Sequence, residues 1–301
     1  MSESVNESKV LIEIECFVEN IVTRKSEPKN FYKDLTDLLI QFDQIYNPPF
    51  YYSASIGAFI ELVIDFDECL ESGFYSLLLN KLKQIPFDKI QRSFKVHYRI
   101  HERRLRYHRY GESRNTKQLI ARMKKVSDDY SRILVVRVDL AYPLKHQVQV
   151  GIKEFSHHME ILRKRINDQD KIFKGLIESA WALEQGTDKG YHCHLLLVYK
   201  GSERCKAYGI AKQVGDLWKS ITCDLGCYFN CHDPNYLKQF SERDTLGIGM
   251  IHRKNKDEVN NMLNTVKYLV RPEKENQHLR VKCKKHMRTF AQLKKSQTYI
   301  I

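Results

Sequence analysis

The sequence predicts an α+β fold, with a mainly antiparallel central sheet, flanking helices and an α-helical region in front of them. Three observations predict it. From Lys9 to about Arg92 apolar residues recur every three to four positions, the spacing of amphipathic helices. Beyond Arg132 the period changes to two, in β-branched runs such as "RILVVRVDLAY" and "YHCHLLLVY". These runs then alternate with helical stretches in the order strand, helix, strand, strand, helix, strand, strand, helix, an order expected of an antiparallel sheet with helices on one side.

Taken in order, "VLIEIECFVENIV" and "FYKDLTDLLIQFDQIY" are helices, the second broken by Pro48 and Pro49, and "IGAFIELVIDFDECLESGFYSLLLNKLKQI" holds two more. The stretch 94–125 turns strongly basic with interleaved aromatics, and the join between domains is placed there. Strand 132–142 follows, then the helix "VGIKEFSHHMEILRKRIND". The strands "GLIESAWALEQ" and "YHCHLLLVY" flank the turn-rich "GTDKG". After a helix in "RCKAYGIAKQVGDLWKSIT" come short strands in "GCYFNC" and "LGIGMIHR", and a last helix, "NKDEVNNMLNTVKYLVR", stopped by Pro272. The boundaries expected are 1–128 for the helical region with its basic end, 129–272 for the sheet domain, and 273–301 for a basic tail.

Charge is divided unevenly. The chain's formal net charge is +13, yet residues 1–90 hold 8 Lys/Arg against 15 Asp/Glu, leaving 42 against 22 for the rest. A local excess of +20 suits a polyanion, nucleic acid first, since neutralised phosphates release counterions. The polar, acidic start and the lack of an apolar run of about 20 residues predict a cytoplasmic protein with no membrane partner. Eight cysteines are expected there as reduced thiols. The group Cys223, Cys227, Cys231 and His232 departs from the ligand spacing of zinc knuckles.

His192 and His194 stand out in a strand otherwise fit for burial. At positions i and i+2 their imidazoles share one face, while Tyr191, Cys193 and Leu195 share the other. An odd number of loop residues in the hairpin sets Glu184 opposite His192, with its carboxylate on the same face. Two imidazoles and a carboxylate suit a divalent cation with positions left open for substrate. His157 and His158 read as surface residues, and His97, His101 and His108 as part of the basic stretch.

On the last helix Val259, Met262, Leu263, Val266, Leu269 and Val270 form one apolar stripe, and Tyr268 sits about 180° from its first member. Asn261, Asn264 and Arg271 share its polar side, with Lys267 at the margin. Such a tyrosine is either a solvated ring or a hydroxyl kept for chemistry.

The His-hydrophobe-His strand followed by a helix with a single tyrosine and nearby cations resembles the HUH endonucleases, the rolling-circle replication initiators and their relatives. "EQGTDKGYHCHLLLVYKG", "TVKYLVRPEK" and "MRTFAQ" most resemble the inovirus gene II replication protein-like group carrying the YagK/YfjJ C-terminal domain, over about residues 129 to 291. The resemblance implies an RRM- or palm-like sheet and a phage, prophage or plasmid replication initiator that nicks and joins single-stranded DNA. It implies Mg2+ or Mn2+ on His192, His194 and Glu184, with Tyr268 as a nucleophile forming a 5′-phosphotyrosine. Arg271 or Lys274 stands for the lysine the family carries after its tyrosine, with Lys267 as a reserve cation for the phosphate, and Cys193 replaces a bulky aliphatic. DNA contacts are expected from Arg103, Arg104, Arg106 and Arg109 in "RRLRYHRY" and from Lys282, Lys284 and Lys285; host helicase and polymerase are expected partners. Two rivals remain from the residues: a non-catalytic DNA-binding regulator or prophage remnant of the same fold, and a two-histidine, one-carboxylate metalloenzyme acting on a small molecule.

Overall fold

The computed structural model describes residues 5–269 and 277–292. The N-terminal region is helical as expected: α1 (Glu7–Thr23), α2 (Phe31–Asp43), α3 (Ala54–Asp65), α4 (Asp67–Ser72) and α5 (Tyr75–Lys83), with a short strand β1 (Tyr51–Tyr52) between α2 and α3. Asn6 starts α1 by accepting the Lys9 N–H on its side chain, satisfying one of the orphan donors of a helix N-terminus. The basic stretch is one 43-residue helix, α6 (Phe87–Asp129), begun by Pro86 and continuous through Gly111.

The sheet domain adds β2 (Arg132–Ala141), α7 (Leu144–Gln147), α8 (Ile152–Asn167), β3 (Leu176–Gly186), β4 (Gly190–Lys200) and α9 (Ala207–Ile221). After them come β5 (Cys227–Asn230), α10 (Pro234–Ser241), β6 (Gly249–His252) and α11 (Lys256–Leu269). The described part of the expected tail is not loose: β7 (Val281–Lys282) pairs with β1, and β8 (Phe290–Gln292) adds to the edge of β3. The main sheet has the order β5-β2-β4-β3-β8, with β6 also on β2, and every pairing is antiparallel.

Helices cover both faces of this sheet, not one. On one face Leu134, Val136, Val138, Cys193, Leu195 and Leu197 pack under α8 and α9 and join the N-terminal helices in a continuous core. On the other, Val135, Leu196 and Val198 meet Leu119, Met123 and Val126 of α6 and Met262, Val266 and Leu269 of α11. Each large aliphatic buried this way contributes about 1.5–3 kcal/mol. The period-two pattern gave no sign of the second helical layer because α6 reaches it from the N-terminal side of the sheet. The expected 128/129 boundary falls at the junction of α6 and β2, but α6 itself belongs to both halves: its first half packs on α1 and α3, its second on α11 and β3.

Glu7 ties the layers together. Its Oε1 accepts the Ile152 N–H at the start of α8 at 2.7 Å and the Tyr191 hydroxyl at 2.6 Å. Among the described residues no helix is long and apolar enough to cross a membrane.

Candidate metal centre

The hairpin of β3 and β4 closes as its sequence dictates. Gly190 takes the left-handed conformation, φ 57°, that the turn requires, and pairs with Gly186; two steps on, Glu184 pairs with His192, and Ala182 with His194. Period two then puts Glu184, His192 and His194 on the α6/α11 face. Both imidazoles are buried, 2% exposed. Glu184 Oε2 lies 3.2 Å from His192 Nε2 and 3.3 Å from His194 Nε2, so the three expected ligands converge.

The partners of the far ring nitrogens decide what these groups can hold. His192 Nδ1 lies 3.0 Å from the Gly190 carbonyl, and His194 Nδ1 lies 2.7 Å from Asp139 Oδ1. A carbonyl and a carboxylate can only accept, so Nδ1 donates in both rings, and in the neutral rings both Nε2 lone pairs face Glu184. Three acceptors facing each other at this range need a cation between them, either a proton or a metal ion. A divalent ion fits this donor set, and the carboxylate on the far nitrogen of His194 is the usual support of a metal-bound imidazole.

Asp139 was not foreseen. It pairs with His194 across β2 and β4, and Arg137, two residues earlier, holds it through Nε–Oδ1 and Nη2–Oδ2 contacts of 3.2 and 3.3 Å. The signal was present in "RILVVRVDLA": Arg137 and Asp139 continue the face begun by Ile133 and Val135, where a central strand has no use for charge unless it is paired. Burial alone would raise the Asp139 carboxyl, but His194 and Arg137 hold it well below the usual carboxylate range. Burial alone would lower His194; the hydrogen bonds the ring donates to Asp139 and Glu184, and their charges, raise it instead.

Arg137 also links this centre to a cleft of about 610 Å³. The cleft runs from Arg137 along Cys231, Tyr236 and Gly247 to Asn261, Asn264, Lys267 and Tyr268 on the polar side of α11. Tyr268 is 56% exposed while Met262, Val266 and Leu269 are buried, so the helix faces divide as its periodicity predicts. Gly247 allows this approach: a Cβ there would collide with the Asn261 carbonyl oxygen. Arg271 and Lys274 lie outside the described residues. Of the tyrosines nearby, Tyr236 lines the cleft, whereas the Tyr228 ring is seated over Gly215 on the α9 side.

One edge of β2 carries β5 on Val138–Ala141 and β6 on Arg132–Val135, leaving the Arg137 N–H between them. His232 Nε2 accepts that N–H at 3.0 Å, and burial lowers the ring's pKa to about 4. His232 is thereby committed to the sheet edge, while Cys223 is exposed and Cys231 buried.

Arg103 and Arg106 share an exposed face of α6 with Tyr107 and Tyr110, both rings 72% exposed, at i, i+3, i+4 and i+7 spacing. Arg109 is exposed beside them, and Arg104 turns to a groove it lines with Lys282 and Lys285. Lys282 is partly buried, which lowers its pKa, and Lys284 lies 3.6 Å from Glu160. Two of the three histidines assigned to the basic stretch point inward instead: His97 contacts Glu61 at 3.0 Å, and His101, 4% exposed, contacts Glu15 at 3.4 Å, while His108 pairs with Glu112 of its own helix. The reason lies in α1 and α3, whose acids face that side of α6. His158, read as a surface residue, bonds the Tyr142 hydroxyl at 2.8 Å and packs on Trp218.

An antiparallel sheet carrying a Glu-His-His centre, backed by a second carboxylate and bordered by a helix with an outward tyrosine, defines the class as an α+β protein with a candidate metal centre. A family model for the YagK/YfjJ C-terminal domain matches residues 96–292, and the chain belongs to that family. The match begins inside α6 rather than at 129, in keeping with the packing of α6 on the site face, and it ends with β8. No curated protein and no solved structure matches the chain.

Proposed function

We propose that the protein is a replication initiator of the phage, prophage or plasmid type, which nicks and rejoins single-stranded DNA through Tyr268 in the manner of the HUH endonucleases. The observation that carries this reading is the shared position of Arg137. It braces Asp139 behind the Glu184, His192 and His194 centre, and it lines the cleft that holds Tyr268. The small-molecule reading leaves the exposed tyrosine there and the arginine and tyrosine face of α6 unexplained.

A Mg2+ or Mn2+ ion held by Glu184, His192 and His194 would supply a Lewis acid for a non-bridging oxygen of the scissile phosphate. Asp139 and the Gly190 carbonyl keep the two rings turned with Nε2 inward, so the ligands need no reorganisation when DNA arrives. The Tyr268 oxygen attacks phosphorus and loses its proton, the bond from phosphorus to the 3′ oxygen breaks, and that oxygen takes up a proton as a free 3′-hydroxyl. The phosphodiester's energy is kept in the 5′-phosphotyrosine, so a 3′-hydroxyl can reverse the step without ATP. Lys267, lining the same cleft, and Arg271 supply positive charge to the phosphate. Tyr107 and Tyr110 offer rings for base stacking between the arginines of α6. Replication with host helicase and polymerase, in the cytoplasm, follows from this reading.

The test is a covalent adduct. Purified chain with Mn2+ and labelled single-stranded origin DNA should give a protein–DNA band stable to denaturation, abolished in Tyr268→Phe. A band undiminished in that variant would move the nucleophile, with Tyr236 next in line. No band in any metal, with salt-sensitive DNA binding retained, would favour the DNA-binding regulator.

A further inference from the structure

A second cluster has the geometry of the first and no part in the proposed reaction. Glu15 of α1, His101 of α6 and His278, which precedes β7, bring their ligand atoms together at the junction of the N-terminal helices with the sheet domain. Glu15 Oε2 lies 3.4 Å from His101 Nε2, 3.2 Å from His278 Nε2 and 3.0 Å from Ser55 Oγ. Three groups therefore crowd an oxygen that has two lone pairs. The other oxygen, Oε1, is held by the Arg280 guanidinium at 2.6 Å, which orients the carboxylate as Arg137 orients Asp139. Glu15, His101 and Arg280 are buried, and the two imidazole rings are 5.6 Å apart, close to the 5.2 Å between His192 and His194.

We propose that Glu15, His101 and His278 form a second divalent-metal site, of the zinc class, that clasps α1 and α6 to the segment following α11. Two imidazoles and one carboxylate, closed by the Ser55 hydroxyl or a water as fourth ligand, make the four-coordinate set that structural Zn2+ takes. The ion would act structurally. His278 and Arg280 lead into β7, and the adjoining groove contains Arg104, His108, Lys282 and Lys285. Fixing His278 to α6 fixes that set of cations in place, and it does so with residues from three separate parts of the chain.

The experiment counts metal on the full chain, stripped with chelator, re-equilibrated with Zn2+ and freed of excess ion. Wild type is expected to keep two equivalents, and His192→Ala with His194→Ala to keep one. His101→Gln with His278→Gln should also keep one, the ion at Glu184. Co2+ added to the His192→Ala, His194→Ala chain should give the visible bands of nitrogen and oxygen ligation without a thiolate charge-transfer band. Its thermal midpoint should rise with Zn2+, and Glu15→Gln should remove that rise. Should the His101, His278 variant fail to fold, the His192, His194 variant decides alone. No retained ion there, or a thiolate band, overturns the proposal and leaves a charge network around Glu15. One ion in wild type that survives loss of His192 and His194 would support the clasp while removing the metal from the proposed nicking centre.

Discussion

Asp139 Oδ1 stands 2.7 Å from Nδ1 of His194, across the pairing of β2 with β4. The contact makes the ring present Nε2 to Glu184, and Arg137 holds the carboxylate from its other side. Asp139→Asn keeps the shape but removes the charge that favours the donating Nδ1. Calorimetric Mn2+ affinity at the Glu184 centre should fall about 10–100-fold, the usual cost of losing such support. An unchanged affinity would make Asp139 a partner of Arg137 alone.

Cutting and binding should separate. His192→Ala with His194→Ala removes two of three ligands but no surface cation, so adduct formation should be lost while salt-sensitive DNA binding persists. If binding collapses too, the two histidines are holding the sheet together rather than an ion.

The arginines of α6 should set the salt dependence. Single-strand binding loses about 0.7 in the slope of log K against log salt for each phosphate contact removed. Changing Arg103, Arg104, Arg106 and Arg109 to Gln should flatten that slope by about 3 while leaving the fold, read by circular dichroism, unchanged. Changing Tyr107 and Tyr110 to Ala should weaken binding with the slope preserved, as expected for stacking.

Arg122 of α6 reaches Glu178 Oε2 at 2.6 Å, and that carboxylate is buried in β3. The Arg122 side chain is 34% exposed and Glu178 Oε1 also accepts the Ser179 N–H, so removing the arginine weakens the support of a buried carboxylate at a cost of about 1–3 kcal/mol. Arg122→Met should therefore lower unfolding stability in denaturant titrations by that order. The double variant Arg122→Met, Glu178→Gln should recover much of the loss.

His232 gives the fold an acid limit. Its pKa lies at about 4, below the ordinary value near 6.5, because burial favours the neutral ring, which accepts the Arg137 N–H. The unfolded chain therefore binds the extra proton first, and stability present above pH 6.5 is lost as pH falls toward 4, by roughly 3 kcal/mol. Denaturant midpoints measured between pH 7 and 4 should decline with this slope, and His232→Gln should flatten it. A slope unchanged in that variant would assign the acid sensitivity to the carboxylates.

Local periodicity was enough for part of the site. An odd hairpin loop and the alternation of strand side chains bring Glu184, His192 and His194 to one face. The 100° step of a helix turns Tyr268 away from Met262 and Val266. Both are properties of neighbours in the chain, so they can be read from residues a few positions apart.

The α+β class, the three converging candidate ligands and the outward tyrosine could thus be read from the chain alone. Folding in three dimensions sets β2 beside β4, which makes Asp139 the support of His194, and carries α6 to the far face of the sheet beside α11. It also decided that His101 meets Glu15 rather than solvent. The physical reason is the same in each case: strand order and helix docking depend on apolar surface buried between distant segments, and no short period in the chain records which segment will cover which.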